Sequence, residues 1–160
     1  MDWVLIQLGT NDVFFETSDG AAVSATQASL TRLDTLINSI KASDANTKVG
    51  LVIAPPPSFD QDSFGANYGT GQTRWRFKRN ILIWARDIIA KYQGQEASRV
   101  FLVPSNTALD TLNNMSRASS AAVNSRSAVT STRQNNGVHP VTSGYQQIGD
   151  ALWAFLKYQA

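Results

Sequence analysis

Lys48-Val49-Gly50-Leu51-Val52-Ile53-Ala54-Pro55-Pro56-Pro57 decides the fold. From Val49 to Ala54 the run is apolar at odd and even positions alike. A strand wet on one face would alternate, so this one is covered on both, as strands of a parallel sheet are. Three prolines then end it, because proline supplies no ladder donor. Two similar runs flank it: Trp3–Leu8, ending at Gly9, and Arg99–Val103, stopped by Pro104. Helical patterns fill the gaps. One begins near Ser24, where Ser24 and Gln27 have capping-box spacing, and aligns Leu30, Leu33, Ile37 and Ile40. The next runs from about Thr73 to Tyr92, with Phe77, Ile81, Trp84 and Ile88 on one face and Gly94 as its terminator. A short helix is expected around Thr107–Asn113, and 116–134 reads as a Ser/Ala/Asn/Arg-rich connection with little periodicity. The last helix, about Ser143 to Tyr158, opens on a second capping-box spacing, Ser143 and Gln146. It is expected to bury Tyr145, Ile148, Leu152, Phe155 and Leu156. Strand and helix alternating three times predict an α/β domain with a parallel sheet, one unit over residues 1–160.

Composition narrows the chemistry. With 160 residues the chain is long enough for a real core, and 42% hydrophobic content is ordinary. Charged residues make up only 16%, below the usual quarter or so, so Ser, Thr, Asn and Gln carry much of the polar surface. Such surfaces are familiar from secreted or virion proteins, although composition leaves the compartment open. Zero cysteines exclude disulfides, thiolate chemistry and Cys-based zinc sites, and one histidine excludes a histidine-cluster metal site within one chain. No metal or cofactor is called for. A net charge of +2 does not argue for nucleic acid. No segment is long and apolar enough to suggest a membrane span, and the first residues lack the basic start of a signal peptide.

The sole histidine, His139, sits in Asn135-Asn136-Gly137-Val138-His139-Pro140. It is the natural proton carrier near neutral pH. Asn-Gly tolerates positive φ, and Pro140 keeps His139 out of helix. In parallel sheets ligands sit beyond the carboxyl ends of the strands, which Gly9–Asp12 and the loop after Pro57 leave. Asn11 and His139 are therefore expected to face one cleft, within about 10 Å. Asn11 also reads as a turn-former bonding its own backbone, and Asp12 as support that bonds backbone nearby. Arg74-Trp75-Arg76-Phe77-Lys78-Arg79 interleaves cations with aromatics, yet Phe77 belongs to the buried stripe. A solvated or ion-paired face is expected, with Asp60 and Asp62 the nearest partners in sequence, against a smaller case for an anionic-ligand site. Phe14, Phe15, Phe64 and Tyr68 either line an acyl or sugar pocket or cover the rim of the core.

Gly9-Thr10-Asn11-Asp12 after a strand, with Gly137-Val138-His139-Pro140 before a last helix, resembles the SGNH (GDSL-type) esterase and lipase superfamily. The match runs through the whole chain but covers only the later part of that family's domain. Pro55-Pro56-Pro57 and Gly144-Tyr145 are similar to family members as well. The resemblance implies a flavodoxin-like three-layer α/β/α sandwich whose first strands are missing from this chain. It implies a Ser-His mechanism on carboxylic esters such as acetylated carbohydrate, with Gly9 shaping the loop and Asn11 as oxyanion-hole donor. His139 would be the general base, Asn136 standing where the family has the aspartate of its Asp-x-x-His block. In serine hydrolases that change costs about 10⁴-fold through the wrong imidazole tautomer, so Asn136→Asp is expected to raise the rate. The family's Gly-Asp-Ser block is absent, and nothing marks Ser18, Ser58 or Ser63 as its replacement. The nucleophile is expected outside this chain, which alone would be inactive. The competing expectation is a non-catalytic binding or assembly module on a degenerate fold of this kind. In either case Trp3–Leu8 becomes an edge strand apolar on both faces. It is expected to pair with a copy of itself or with a chain carrying the missing strands.

Overall fold

Three parallel strands lie side by side in the order β1 (Trp3–Ile6), β2 (Lys48–Val52), β3 (Val100–Val103). The computed structural model describes residues 2–61, 63–64, 71–119, 122 and 124–159. Trp3 stands opposite Lys48 and Ile6 opposite Leu51, while Val49 faces Val100 and Val52 faces Val103. Helices α1 (Thr10–Phe14) and α2 (Asp19–Ser43) connect β1 to β2, and α3 (Arg74–Tyr92) connects β2 to β3. Adjacent parallel strands joined by crossovers of one hand place both long helices on the same face. There Leu30, Leu33 and Ile37 of α2 meet Phe77, Ile81, Trp84 and Ile88 of α3 over Val49, Leu51 and Val100, all buried. The other face carries α4 (Thr142–Tyr158), through Trp3 packed on Phe101 at 4.9 Å and on Phe155 at 5.7 Å between ring centres. Gly50 of β2 leaves room for its strand neighbours, since a Cβ there would come within 2.5 Å of Leu5 and 3.1 Å of Val103. The result is a three-layer α/β/α arrangement with a parallel sheet. Among the described residues, no helix is long and apolar enough to cross a membrane.

Several local expectations are corrected. Helix α2 starts at Asp19, five residues before Ser24, because Ser18 accepts the Ala21 amide at 3.2 Å and caps it. Thr73 caps α3 in the same way, through the Arg76 amide at 3.1 Å. The capping box at Ser143 does not form. Helix α4 starts at Thr142, which leaves Ser143 inside it with its hydroxyl donating to Asn114 at 2.7 Å. In place of a helix at 107–113 there is a 3-10 turn at Ser105–Thr107. Part of the featureless connection is an antiparallel ribbon of β4 (Arg117–Ser119) and β5 (Thr132–Gln134). The cations of α3 find their acid across the helix pair: Asp19 accepts from Arg76 at 2.6 Å and Arg79 at 2.8 Å. Asp60 instead accepts the Gln134 amide, and Asp62 lies outside the described residues.

The largest correction concerns α4. It buries only Gly144 and Ile148, with Leu152, Phe155 and Leu156 half-buried and Tyr145 53% exposed. Trp153 and Tyr158 stand 66% and 87% exposed. The stripe is there, but this side of the sheet covers it incompletely, with Trp3 packed against Phe155. Strand β1 explains why: among the described residues it pairs with β2 alone, and all four of its residues are half-buried.

Candidate active site

Gly9 is the hinge of the first half of the site. Its φ of 109° is one that side chains avoid, and a Cβ would fall 2.2 Å from the Trp84 ring. The glycine lets the chain turn straight off β1 into α1, directly above the indole. Helix α1 is too short to hold itself, so neighbours pin it. Asn80, fully buried, donates to the carbonyls of Val13 and Glu16, both at 2.8 Å, and accepts from Arg76 at 2.8 Å. Gln72 donates to the Phe14 carbonyl. Asp12 proves to be a tie to α2 rather than mainly to nearby backbone. It accepts from the Ser29 hydroxyl and from Arg32 at 3.0 Å. Burial pushes its carboxyl up, but the Ser29 and Arg32 bonds prevail and hold it below the ordinary carboxylate value. Asn11 is thereby presented outward, and its side-chain amide has no hydrogen-bond partner among the described residues.

The second half is the loop before α4. Asn136 folds it by accepting the amides of Val138 at 3.0 Å and His139 at 2.8 Å on one oxygen. Gly137 does not use positive φ, contrary to expectation; its reason is space. A Cβ there would sit 2.7 Å from the Phe64 ring. The Gly137 carbonyl accepts the Ser58 amide at 2.9 Å, and Val141 donates to Asn114 at 3.0 Å, so the loop is fixed at both ends. Phe64 also lies nearly parallel to Phe14 of α1, 6.5 Å between centres. Both halves therefore rest on one aromatic stack. Asn11, Phe14, Phe15, Val138 and His139 line a single open cavity of about 110 Å³.

Of the loop aromatics, Phe14 and Phe15 wall this cavity, Phe64 belongs to the core, and Tyr68 lies outside the described residues. The three loop serines all have other roles. Ser18 caps α2, while Ser58 and Ser63 are fully buried and bond each other at 2.5 Å. Sequence reasoning missed Tyr145, placed among the buried residues but standing with its hydroxyl 3.4 Å from Nδ1 of His139. Its place in the first turn after the histidine loop was the available signal.

No protein-family model and no curated protein matches the chain. Solved structures similar to it include the following two. A candidate platelet activating factor from Streptococcus pneumonia superposes with a TM-score of 0.58 at 17% identity, over 97% of this chain and 59% of its own. A candidate arylesterase from Agrobacterium tumefaciens str. C58 gives 0.53 at 23% identity, over 98% of this chain and 61% of its own. What is shared is the α/β fold. The chain thus spans roughly three fifths of the length of either neighbour.

Proposed function

We propose that this chain is the histidine-bearing part of an SGNH-type carboxylic-ester hydrolase, with His139 as general base and Asn11 as oxyanion donor. The observation that carries it is the shared cavity, where an unpartnered amide and an imidazole line the same open space. A donor placed where a tetrahedral intermediate develops its negative charge is worth about 3 kcal/mol or more. The two aromatic walls suit a short acyl group, such as the acetyl of an acetylated carbohydrate. The esterase-related name of one fold neighbour supports the same reaction class.

The nucleophilic serine then comes from a segment outside residues 1–160, docked on the open flank of β1. Three features favour a strand-and-helix segment as occupant. Among the described residues, β1 is parallel to its one neighbour and unpaired on the other side. Leu8 and Leu36, 50% and 40% exposed, rim a cavity of about 220 Å³ that reaches Trp84, whose buried Nε1 has no hydrogen-bond partner among the described residues. Both fold neighbours have chain to spare beyond what this one matches. The competing reading, a binding or assembly module, draws on Asn136, whose side-chain oxygen is already occupied by the loop.

A fluorophosphonate probe separates them. The natural polypeptide or complex containing this chain is expected to be labelled on a serine outside residues 1–160 and to hydrolyse short aryl esters. Both properties should be lost in His139→Ala. The chain alone should be neither labelled nor active. No labelling of the natural assembly leaves the module reading standing, and a label on a serine within this chain overturns the assignment of the nucleophile.

A further inference from the structure

A histidine that accepts a proton at Nε2 must already carry one at Nδ1, so whatever faces Nδ1 decides whether the ring can act as a base. Asn136 occupies the position from which the resemblance expects that partner. Its Oδ1 instead accepts two backbone amides of its own loop, at 3.0 Å and 2.8 Å. The hydroxyl of Tyr145 lies 3.4 Å from Nδ1. The phenol is held at its root. The Tyr145 amide donates to the Val141 carbonyl at 3.1 Å, and the preceding Gly144 is packed so tightly that a Cβ would come within 2.6 Å of Pro140 and 2.8 Å of the Asn114 carbonyl. Pro140 follows the histidine directly, so one turn of chain fixes ring and phenol relative to each other. Tyr145 is also 53% exposed, which leaves water available for the hydroxyl's own proton and the oxygen free to accept.

We propose that Tyr145 is the positioning residue of His139: its oxygen accepts from Nδ1–H and leaves Nε2 as the basic nitrogen. This rests on His139 being the general base. A neutral phenol fixes tautomer and orientation, but it stabilises the imidazolium less than a carboxylate would.

Because His139 is the only histidine, ¹⁵N-histidine labelling of this chain gives one imidazole to read, in whatever assembly the chain purifies. Long-range ¹H–¹⁵N spectra of the neutral ring, at mildly alkaline pH, distinguish the two tautomers. The unmodified chain is expected to show the proton on Nδ1, and Tyr145→Phe to move it toward Nε2. An unmodified ring already protonated on Nε2 overturns the proposal without any variant, and so does a Tyr145→Phe spectrum with unchanged tautomer balance in a chain of unchanged melting. In the active assembly Tyr145→Phe should lower kcat and leave KM alone. A tautomer shift in an assembly with no esterase activity leaves the Tyr145 assignment standing and sinks the hydrolase reading. Activity with no tautomer shift does the reverse.

Discussion

The two faces of the sheet are built to different degrees of completion. On the α2/α3 face, Val13, Leu30, Phe77, Trp84 and Ile88 are almost wholly removed from solvent. The rim of that face is tied by long-range polar pairs, Asp19 with Arg76 and Arg79, Asp34 with Lys91 and Tyr92, Gln27 with Asp87. On the α4 face an equally regular apolar stripe is mostly half-buried, with Phe155 packed on Trp3, and Trp153 and Tyr158 of the same helix project outward. An amphipathic pattern declares that a helix has something to bury. It does not say that the burying surface is in the same chain.

The greatest effect should separate the two tryptophans that represent these faces. Trp84→Ala is expected to cost about 3–5 kcal/mol in urea unfolding, the range for emptying a large buried site. Trp153→Ala should stay within about 0.5 kcal/mol, as for an exposed residue. A large cost at Trp153 would show that α4 is covered in solution. Gly9→Ala should follow at about 2–3 kcal/mol, since the added methyl meets the Trp84 ring and the backbone conformation disfavours it. A neutral result there would mean that α1 can lift off the indole, and that Asn11 is less fixed than it looks.

The open flank gives a smaller but sharper effect. By itself the chain is expected to travel in size exclusion with light scattering as an associated species rather than a 17.4 kDa monomer. Leu8→Lys with Leu36→Lys should reduce that association and change stability by no more than about 0.5 kcal/mol. A monomeric parent would break the comparison outright. The smallest effect lies in acid. Hydrogen bonds from Arg79 and then Arg76 hold the Asp19 carboxyl down at about 2, below its ordinary 3.8. A depressed folded-state value means stability present above the ordinary value and lost as pH falls from there towards 2. Asp19→Asn should flatten that decline in Tm, and an unchanged acid slope would show that solvent already screens this exposed pair.

The strands and the facing stripes of α2 and α3 were legible because they depend on local periodicity alone. Helix starts were not: Ser24 and Gln27 imitate a capping box, while the real cap, Ser18, has no such partner and works through the Ala21 amide. The β4–β5 ribbon escaped notice because Arg117-Ala118-Ser119 and Thr132-Arg133-Gln134 carry no apolar alternation. Asp19 reaches its guanidiniums across nearly sixty residues of chain, a distance no neighbour rule spans. At the candidate site, residue type and order singled out Gly9, Asn11 and His139, and Asn11 and His139 do line one cavity. Tyr145 was passed over despite its place just after the histidine loop, since an aromatic on an apolar helix face reads as core until the helix is seen to lack cover.

Phe64 touches both halves of the cleft, under Gly137 on one side and along Phe14 on the other. Mechanically it is a shim. A slimmer side chain there would let the amide-bearing turn and the imidazole-bearing turn settle towards each other, leaving every polar group of the cleft chemically intact. The width of the opening would then be governed by a buried ring that lies behind the cleft rather than in its lining.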